Sequence, residues 1–377
     1  MSALLALPAL SATAYFLLAL AAGVRRWRRR QSEARDGFQP AISILKPVRG
    51  RDPRFLEAIR SYARQDYPAW ELLFGVPDPD DPALADIRQL QREFPQRTIE
   101  IIASRTVAPN GKVGVLIDLA RAARHPLLLI SDSDIAAPPG YLREVAGPLA
   151  DPSVGLVTCL YRASAETTPA RWEALGVSTE FAPSVLVAEL SGLSGFALGS
   201  TMVVRAADLK RLGGFERLRD YLADDFHLGR LVNELGLRVH LSQTVVETHL
   251  GGSTWGEVWN HAVRWSRTIR MTRRAGYYGY AITQGTCWAV LAGLAGYPAL
   301  AAACLGTRLA AGLFIGGLVL DDRAVWRQAW AIPLRDLWGA AVWLAGLFGD
   351  TVRWRGLAIR LTADGRILAA RDHSSRI

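Results

Sequence analysis

Cysteine is scarce in this 377-residue chain, and the little present has no pattern. Cys159, Cys287 and Cys304 stand far apart, two of them in apolar segments, so neither a zinc set nor a disulfide framework is expected. Small reduced hydrophobes account for all three. No internal period suggests repeats, and no low-complexity linker divides the middle of the chain. A nucleic-acid partner is not expected either. The net charge of +9 comes from arginines clustered beside apolar segments, where anionic lipid head groups explain them better.

Long apolar runs are what the chain does have. Ser2 to Val24 carries no charge and is followed at once by "RRWRRR", Arg25 to Arg30. A signal peptide places its basic residues before the apolar run, so this order favours an uncleaved anchor over residues 1–24. The positive-inside rule then puts the arginines on the cytoplasmic side. A second uncharged run covers Ala275 to Thr307, followed by shorter pieces at Leu309–Leu320 and Leu337–Gly349. Each short piece falls below a span's length unless it extends across Arg308 or Arg335. The expected division is an anchor (1–24), a cytoplasmic domain with an interfacial helix at 254–275 (25–275), transmembrane or re-entrant helices (276–352) and a basic cytoplasmic tail (353–377). Four complete spans would leave that tail outside, so at least one is expected to be incomplete.

The middle of the chain alternates. "AISILKPVRG" holds a β-rich run, Ile42 to Leu45, and "DPRFLEAIRSYARQDYP" has Phe55, Leu56, Ile59 and Tyr62 at helical spacing. Glu71 to Val76 reads as a strand, "ALADIRQLQREFP" as a helix and "IEIIAS" as a strand. "GKVGVLIDLARAARH" and "LLLISD" then repeat the helix–strand order. This is the pattern of an α/β fold with a mostly parallel sheet. Acidic clusters fall at two predicted strand ends, "VPDPDD" and "ISDSD", where ligands bind in such sheets.

Asp132 and Asp134 are separated by one serine and face one crevice once the chain turns. Two carboxylates so close ionise together only beside a cation. Mg²⁺ or Mn²⁺, which bridge carboxylates to phosphates, would resolve the repulsion; an ordinary acidic turn is the alternative. Asp78, Asp80 and Asp81 could accept hydrogen bonds from a nucleoside, or form a solvated Pro-Asp turn. Asn110 and Lys112 open a helix, where a lysine reaches phosphate or sugar oxygens. Asp224 and Asp225 begin the helix of "LADDFHLGRLVNELG", as N-capping residues or as a general base held at the helix start. His261, Arg264 and Trp265 share a helix face, suiting a diphosphate and a sugar acceptor. Arg267, Arg270, Arg273 and Arg274 continue as a basic stripe suited to an interfacial helix.

In order, "SILKPVRGRDP", "QDYP", "DPDDPA", "NGKV", "SDSDI", "LADDFHLG" and "HAVRW" resemble the membrane-bound GT-A glycosyltransferases of families 2 and 21. The closest likeness is to ceramide glucosyltransferases and bacterial hopanoid-associated glycosyltransferases, and it covers nearly the whole chain. His261 departs from the family's usual Gln or Arg at the head of its "xxRW" motif. The resemblance implies a GT-A domain flanked by N- and C-terminal membrane helices, multi-pass in a bacterial inner membrane. It implies Asp81 near the nucleotide, Asp132 and Asp134 on a metal and the UDP-sugar diphosphate, and Asp225 as catalytic base beside Asp224. Gly199 and Ser200 in "FALGSTMVVR" would border the acceptor. "STEFAPSVLVAELSG" is either a membrane-facing lip for a lipid or a buried helix.

The implied reaction is inverting transfer from a UDP-sugar to a lipid hydroxyl, glucose to ceramide first. N-acetylglucosamine to bacteriohopanetetrol is the alternative. A processive synthase would need more membrane helices than this chain offers. A non-catalytic nucleotide-sugar-binding membrane protein would tolerate loss of Asp225.

Overall fold

The computed structural model describes residues 2–193, 195–354 and 357–372. The chain forms two compact units. One holds residues 31–161 and 193–251; the other holds 1–30, 162–192 and 252–377. This differs from the expected 25–275 domain, because the segments 162–192 and 252–275 fold with the apolar helices instead.

The first unit is built on an eight-stranded sheet: β1 (Ile42–Pro47), β2 (Trp70–Val76), β3 (Thr98–Ala103), β4 (Leu127–Ile130), β5 (Ile135–Ala136), β6 (Val154–Ser164), β7 (Met202–Arg205) and β8 (Arg238–His249). Their order is β3-β2-β1-β4-β7-β6-β8-β5. Strands β3 to β4 in that order are parallel, and β7 joins β4 antiparallel. The sheet is therefore parallel over half its width, mixed overall.

Period-2 alternation explains how it is covered on both faces. Ile42, Ile44, Phe74 and Leu129 face one apolar cluster with Phe55, Ile59 and Tyr141. Leu45, Leu73, Leu128 and Ile130 face a second, with Leu116, Leu228 and Leu231. The short β4 is buried at every position. Its end delivers Ser131 to Asp134 to the carboxyl edge of the sheet, as the sequence suggested.

Among the described residues of the second unit, two helices are long and apolar enough to cross a membrane, Ala6–Arg28 and Pro298–Val319. The first packs on Pro298–Gly312 and Gly285–Leu294. It buries Ala9, Ala12, Phe16 and Ala19 while Leu7, Leu10, Leu17 and Leu18 stay exposed. Small residues inward and leucines outward suit helices that associate within lipid.

The apolar runs are partitioned differently from the sequence expectation. The stretch 275–307 breaks at Gln284 and again at Gly296, whose φ of +87° ends the Gly285–Leu294 helix before Pro298. The membrane-length helix continues through Arg308 and the Ile332–Gly346 helix runs through Arg335, the extension that the sequence left open. Arg308 Nη2 lies 2.8 Å from Asp336 Oδ1, both side chains being 1% exposed. Its Nη1 donates to Thr179 O at 3.0 Å. The pairing cancels the charge that would otherwise forbid burial.

The segment 178–192 forms a π-helical turn, Val177–Phe181, and the Ala182–Leu190 helix. The stretch read as a tail from 353 onward joins an antiparallel sheet of β9 (Thr351–Trp354), β10 (Leu357–Leu361) and β11 (Ile367–Asp372). Arg355 and Gly356 of "RWRG" lie outside the described residues.

Candidate active site

The helix Gly111–Ala122 starts at Asn110, whose side-chain oxygen accepts from Lys112 N at 3.0 Å and Val113 N at 3.4 Å. The other end of the same amide donates to Tyr221 O at 2.8 Å. Asn110 is fully buried with both ends of its amide in use. It fixes Lys112 against the loop that leads into the Asp224–Glu234 helix.

Lys112 is the hub. Its Nζ lies 2.7 Å from Asp132 Oδ1 and 3.5 Å from Asp224 Oδ2. Burial alone would lower its pKa, but Asp132 and Asp224 outweigh burial and hold it well above the usual lysine value. Gly199 N donates to Asp225 Oδ2 at 3.0 Å. A Cβ at Gly199 would come within 3.2 Å of Asp132 Oδ2, 3.4 Å of Lys112 Nζ and 3.5 Å of Asp225 Oδ2. Only glycine leaves that space to a ligand.

Asp225 sits in the first turn of its helix and accepts from Phe226 N at 2.7 Å. The N-cap is Ala223, which offers no side-chain bond, so neither acid serves as the cap. Burial, reinforced by Asp224 and opposed by Lys112, lifts the Asp225 carboxyl to about 6. Asp134 is likewise lifted to about 6, by burial and then by the Asp132 charge, against a 2.5 Å hydrogen bond from Thr248 Oγ1.

Beneath the Asp132–Asp134 turn lies Lys46, wholly buried. Its Nζ donates to Asp132 O at 2.8 Å and to Ser131 Oγ at 3.3 Å, and lies 3.9 Å from the Tyr62 ring centre. Burial lowers its pKa to about 7, against the pull of Asp134, Asp132 and Asp52. The chain's only other lysine is Lys210. Asp52 accepts from Ser133 Oγ. Lys46, Asp52 and Thr248 were not singled out from the sequence. The signal for the first two was the "LKPVRGRD" segment; Thr248 had none, because only the antiparallel pairing of Ile135 with Thr248 brings β8 to the aspartates.

The remaining candidates are more dispersed. Asp81 is 5% exposed and joins two loops, accepting from Gly50 N at 2.6 Å and Ala83 N at 2.9 Å. Asp78 and Asp80 are exposed, Asp78 accepting from Asp80 N in a local turn. Ser200 donates to Cys159 O at 3.2 Å and steadies the loop before β7.

His261, Arg264 and Trp265 belong to the other unit, on the helix Trp255–Thr272, which starts with a Thr254–Glu257 capping box. Trp265 Nε1 donates to His261 Nε2 at 2.8 Å, and His261 Nδ1 bonds Glu173 Oε1. Because Nε2 accepts, the ring proton belongs on Nδ1, donated to Glu173. The neutral imidazole thus does what a glutamine amide could do here: it accepts from the indole with one atom and donates with another.

The model of glycosyl transferase family 21 matches residues 4–367. The chain belongs to that family. As a family 21 member it is similar to ceramide glucosyltransferase 1 of Caenorhabditis elegans, 28% identical over 233 residues, covering 61% of this chain and 50% of the relative. Ceramide glucosyltransferase 3 of the same organism is 26% identical over 231 residues, at 60% and 50% coverage. The chain thus spans about half the length of the curated relatives it matches. Among solved structures, a mannosyltransferase from Pyrobaculum calidifontis in complex with GDP-Man and Mn²⁺ superposes with a TM-score of 0.56 at 20% identity. The match covers 91% of this chain and 97% of that one, and it establishes the GT-A glycosyltransferase fold.

Proposed function

We propose that this chain is an inverting glycosyltransferase that moves a sugar, glucose first, from a UDP-sugar to a hydroxyl of a membrane lipid, ceramide first. The observation that carries this is the convergence of Asp132, Lys112 and Asp225 on the space beside Gly199. Family 21 membership, the relatives' names and two helices of membrane length support a sugar donor and a lipid acceptor.

The residues fit a divalent cation. Asp132 and Asp134 offer oxygen donors one residue apart, and burial, with the Asp132 charge added to it, already lifts Asp134. Among the described residues no group of three or more His, Cys, Asp or Glu forms a complete metal site. Diphosphate and water would therefore complete the coordination of Mg²⁺ or Mn²⁺ held by Asp132 and Asp134. When bound, such an ion neutralises charge on the diphosphate.

The chain's own residues do the rest. Lys112 exchanges its carboxylate partners for diphosphate oxygens and stabilises the charge gathering on the departing group. Asp225, deprotonated above about pH 6, takes the proton of the acceptor hydroxyl. The hydroxyl oxygen bonds to the anomeric carbon while the carbon–phosphate oxygen bond breaks, its electron pair leaving with UDP. Direct displacement inverts the carbon, so a UDP-α-sugar gives a β-glycoside. Gly199 N–H and Phe226 N–H hold the two Asp225 oxygens in place during transfer.

The test is transfer of labelled sugar by purified full-length protein in detergent. UDP-glucose and UDP-N-acetylglucosamine are offered with ceramide or bacteriohopanetetrol, with and without Mn²⁺, beside Asp225→Asn. A metal-dependent glycolipid absent from the variant is expected. Undiminished transfer by Asp225→Asn would remove Asp225 as the base.

A further inference from the structure

A cavity of about 330 Å³ opens within the helical unit, far along the chain from the aspartates. Its walls include Arg270, Arg274, Tyr278, Asp350 and Leu361, from the end of the Trp255–Thr272 helix, the following Arg274–Gly279 helix, the residue before β9, and β10. The charges around it do not cancel. Asp350 is committed to Arg360, Oδ2 to Nε at 2.7 Å. Arg267 donates to Thr351 O at 2.6 Å and Arg270 to Gly349 O. Those carbonyls satisfy single N–H groups but carry no formal charge. Of the two wall arginines, Arg270 has its Nε buried without an acceptor. Arg274 is exposed, and no carboxylate pairs with it among the described residues.

An arginine N–H without an acceptor and a guanidinium without a carboxylate partner on the walls of one cavity call for an anion with several oxygens. We propose that this cavity binds a phosphate group, and that its source is the head group of an anionic membrane lipid. The neighbouring side chains favour a lipid over a soluble phosphate. Trp265, Ile269, Tyr278 and Ile282 are large, apolar or aromatic, and exposed along the same stretch of chain. Arginines interleaved with exposed aromatic and aliphatic residues suit the water–lipid boundary, where the head-group phosphate lies beside the first methylenes. The cavity is distinct from the nucleotide-sugar crevice and does not depend on the transferase reading.

Full-length protein in neutral detergent, titrated with phosphatidylglycerol or phosphatidylcholine and read by native mass spectrometry, tests this without any assay of transfer. The wild type should hold phosphatidylglycerol in preference to phosphatidylcholine. Arg274→Gln should reduce that preference about fivefold, and Arg270→Gln/Arg274→Gln about twenty-five-fold. Arg323→Gln, an exposed arginine elsewhere in the same unit, should leave it unchanged. Arg274→Gln removes no internal hydrogen bond, so it carries the test even if the double variant misfolds. Equal binding of the two lipids, or a preference that survives the substitutions, overturns the proposal. Inorganic phosphate is the third arm. Should it bind with the same arginine dependence while phosphatidylglycerol does not, the lipid source is overturned.

Discussion

Replacing Lys112 by methionine tests the electrostatics of the crevice most directly. Lys112 Nζ and Asp225 Oδ2 each lie within 3.5 Å of the same point beside Gly199, so they are no more than about 7 Å apart. At an effective dielectric constant of about 20, opposite charges at that distance attract by roughly 2 kcal/mol. That attraction favours the ionised carboxylate and partly offsets burial and Asp224. Without it the Asp225 pKa should rise from about 6 by roughly one to two further pH units. A general base works deprotonated, so activity climbs as pH rises through its pKa, and the acidic limb of kcat/KM should move up by that amount. The assay is labelled-sugar transfer across pH 5 to 9 in wild type and Lys112→Met. A lower plateau with an unmoved limb would refute the reasoning. The limb would then belong to another group, and Lys112 would act on the diphosphate alone.

Three further outcomes are expected. His261→Gln should keep most of the wild-type activity, because its amide can still accept from Trp265, whereas His261→Ala loses a hydrogen bond and should cost up to about tenfold in kcat/KM. Arg308→Met should destabilise the protein by about 3–5 kcal/mol, seen as a lower Tm in detergent, because Asp336 is left charged and buried. Arg308→Met/Asp336→Leu should recover much of that loss. Chelation should abolish transfer and Mn²⁺ restore it, while transfer that persists in chelator would leave the cation role of Asp132 and Asp134 without support.

The alternation of strands and helices to β4 was legible because each element carries its own period, and because acids after a buried apolar run mark a strand's carboxyl end. Asp132, Lys112, Asp224 and Asp225 were singled out from sequence, and they lie together in one crevice. Thr248 and Lys46 were not. Their place depends on which strands pair, and nothing local to "VVETHL" or "ISILKP" encodes the β5–β8 register or the burial of an ammonium beneath Asp132. At Arg308 and Arg335 the sequence left open whether the apolar helices stop or run on. Asp336 and Glu180, distant in sequence, neutralise them and let their helices run on. The C-terminal sheet escaped notice because three short strands with arginines read as easily as a tail.

Arginine serves as the basic residue almost throughout, so the few primary amines act as built-in reporters. Lys210 is exposed, Lys46 is sealed beneath the aspartates and Lys112 stands at the crevice itself. An amine-directed reagent followed by peptide mass mapping would therefore find Lys210 reactive in every state. Lys46 and Lys112 would stay slow, one shielded by burial and the other kept protonated by its carboxylate partners. A rise in either relative to Lys210 would report that the crevice has come apart, even in a membrane preparation where no product can be detected.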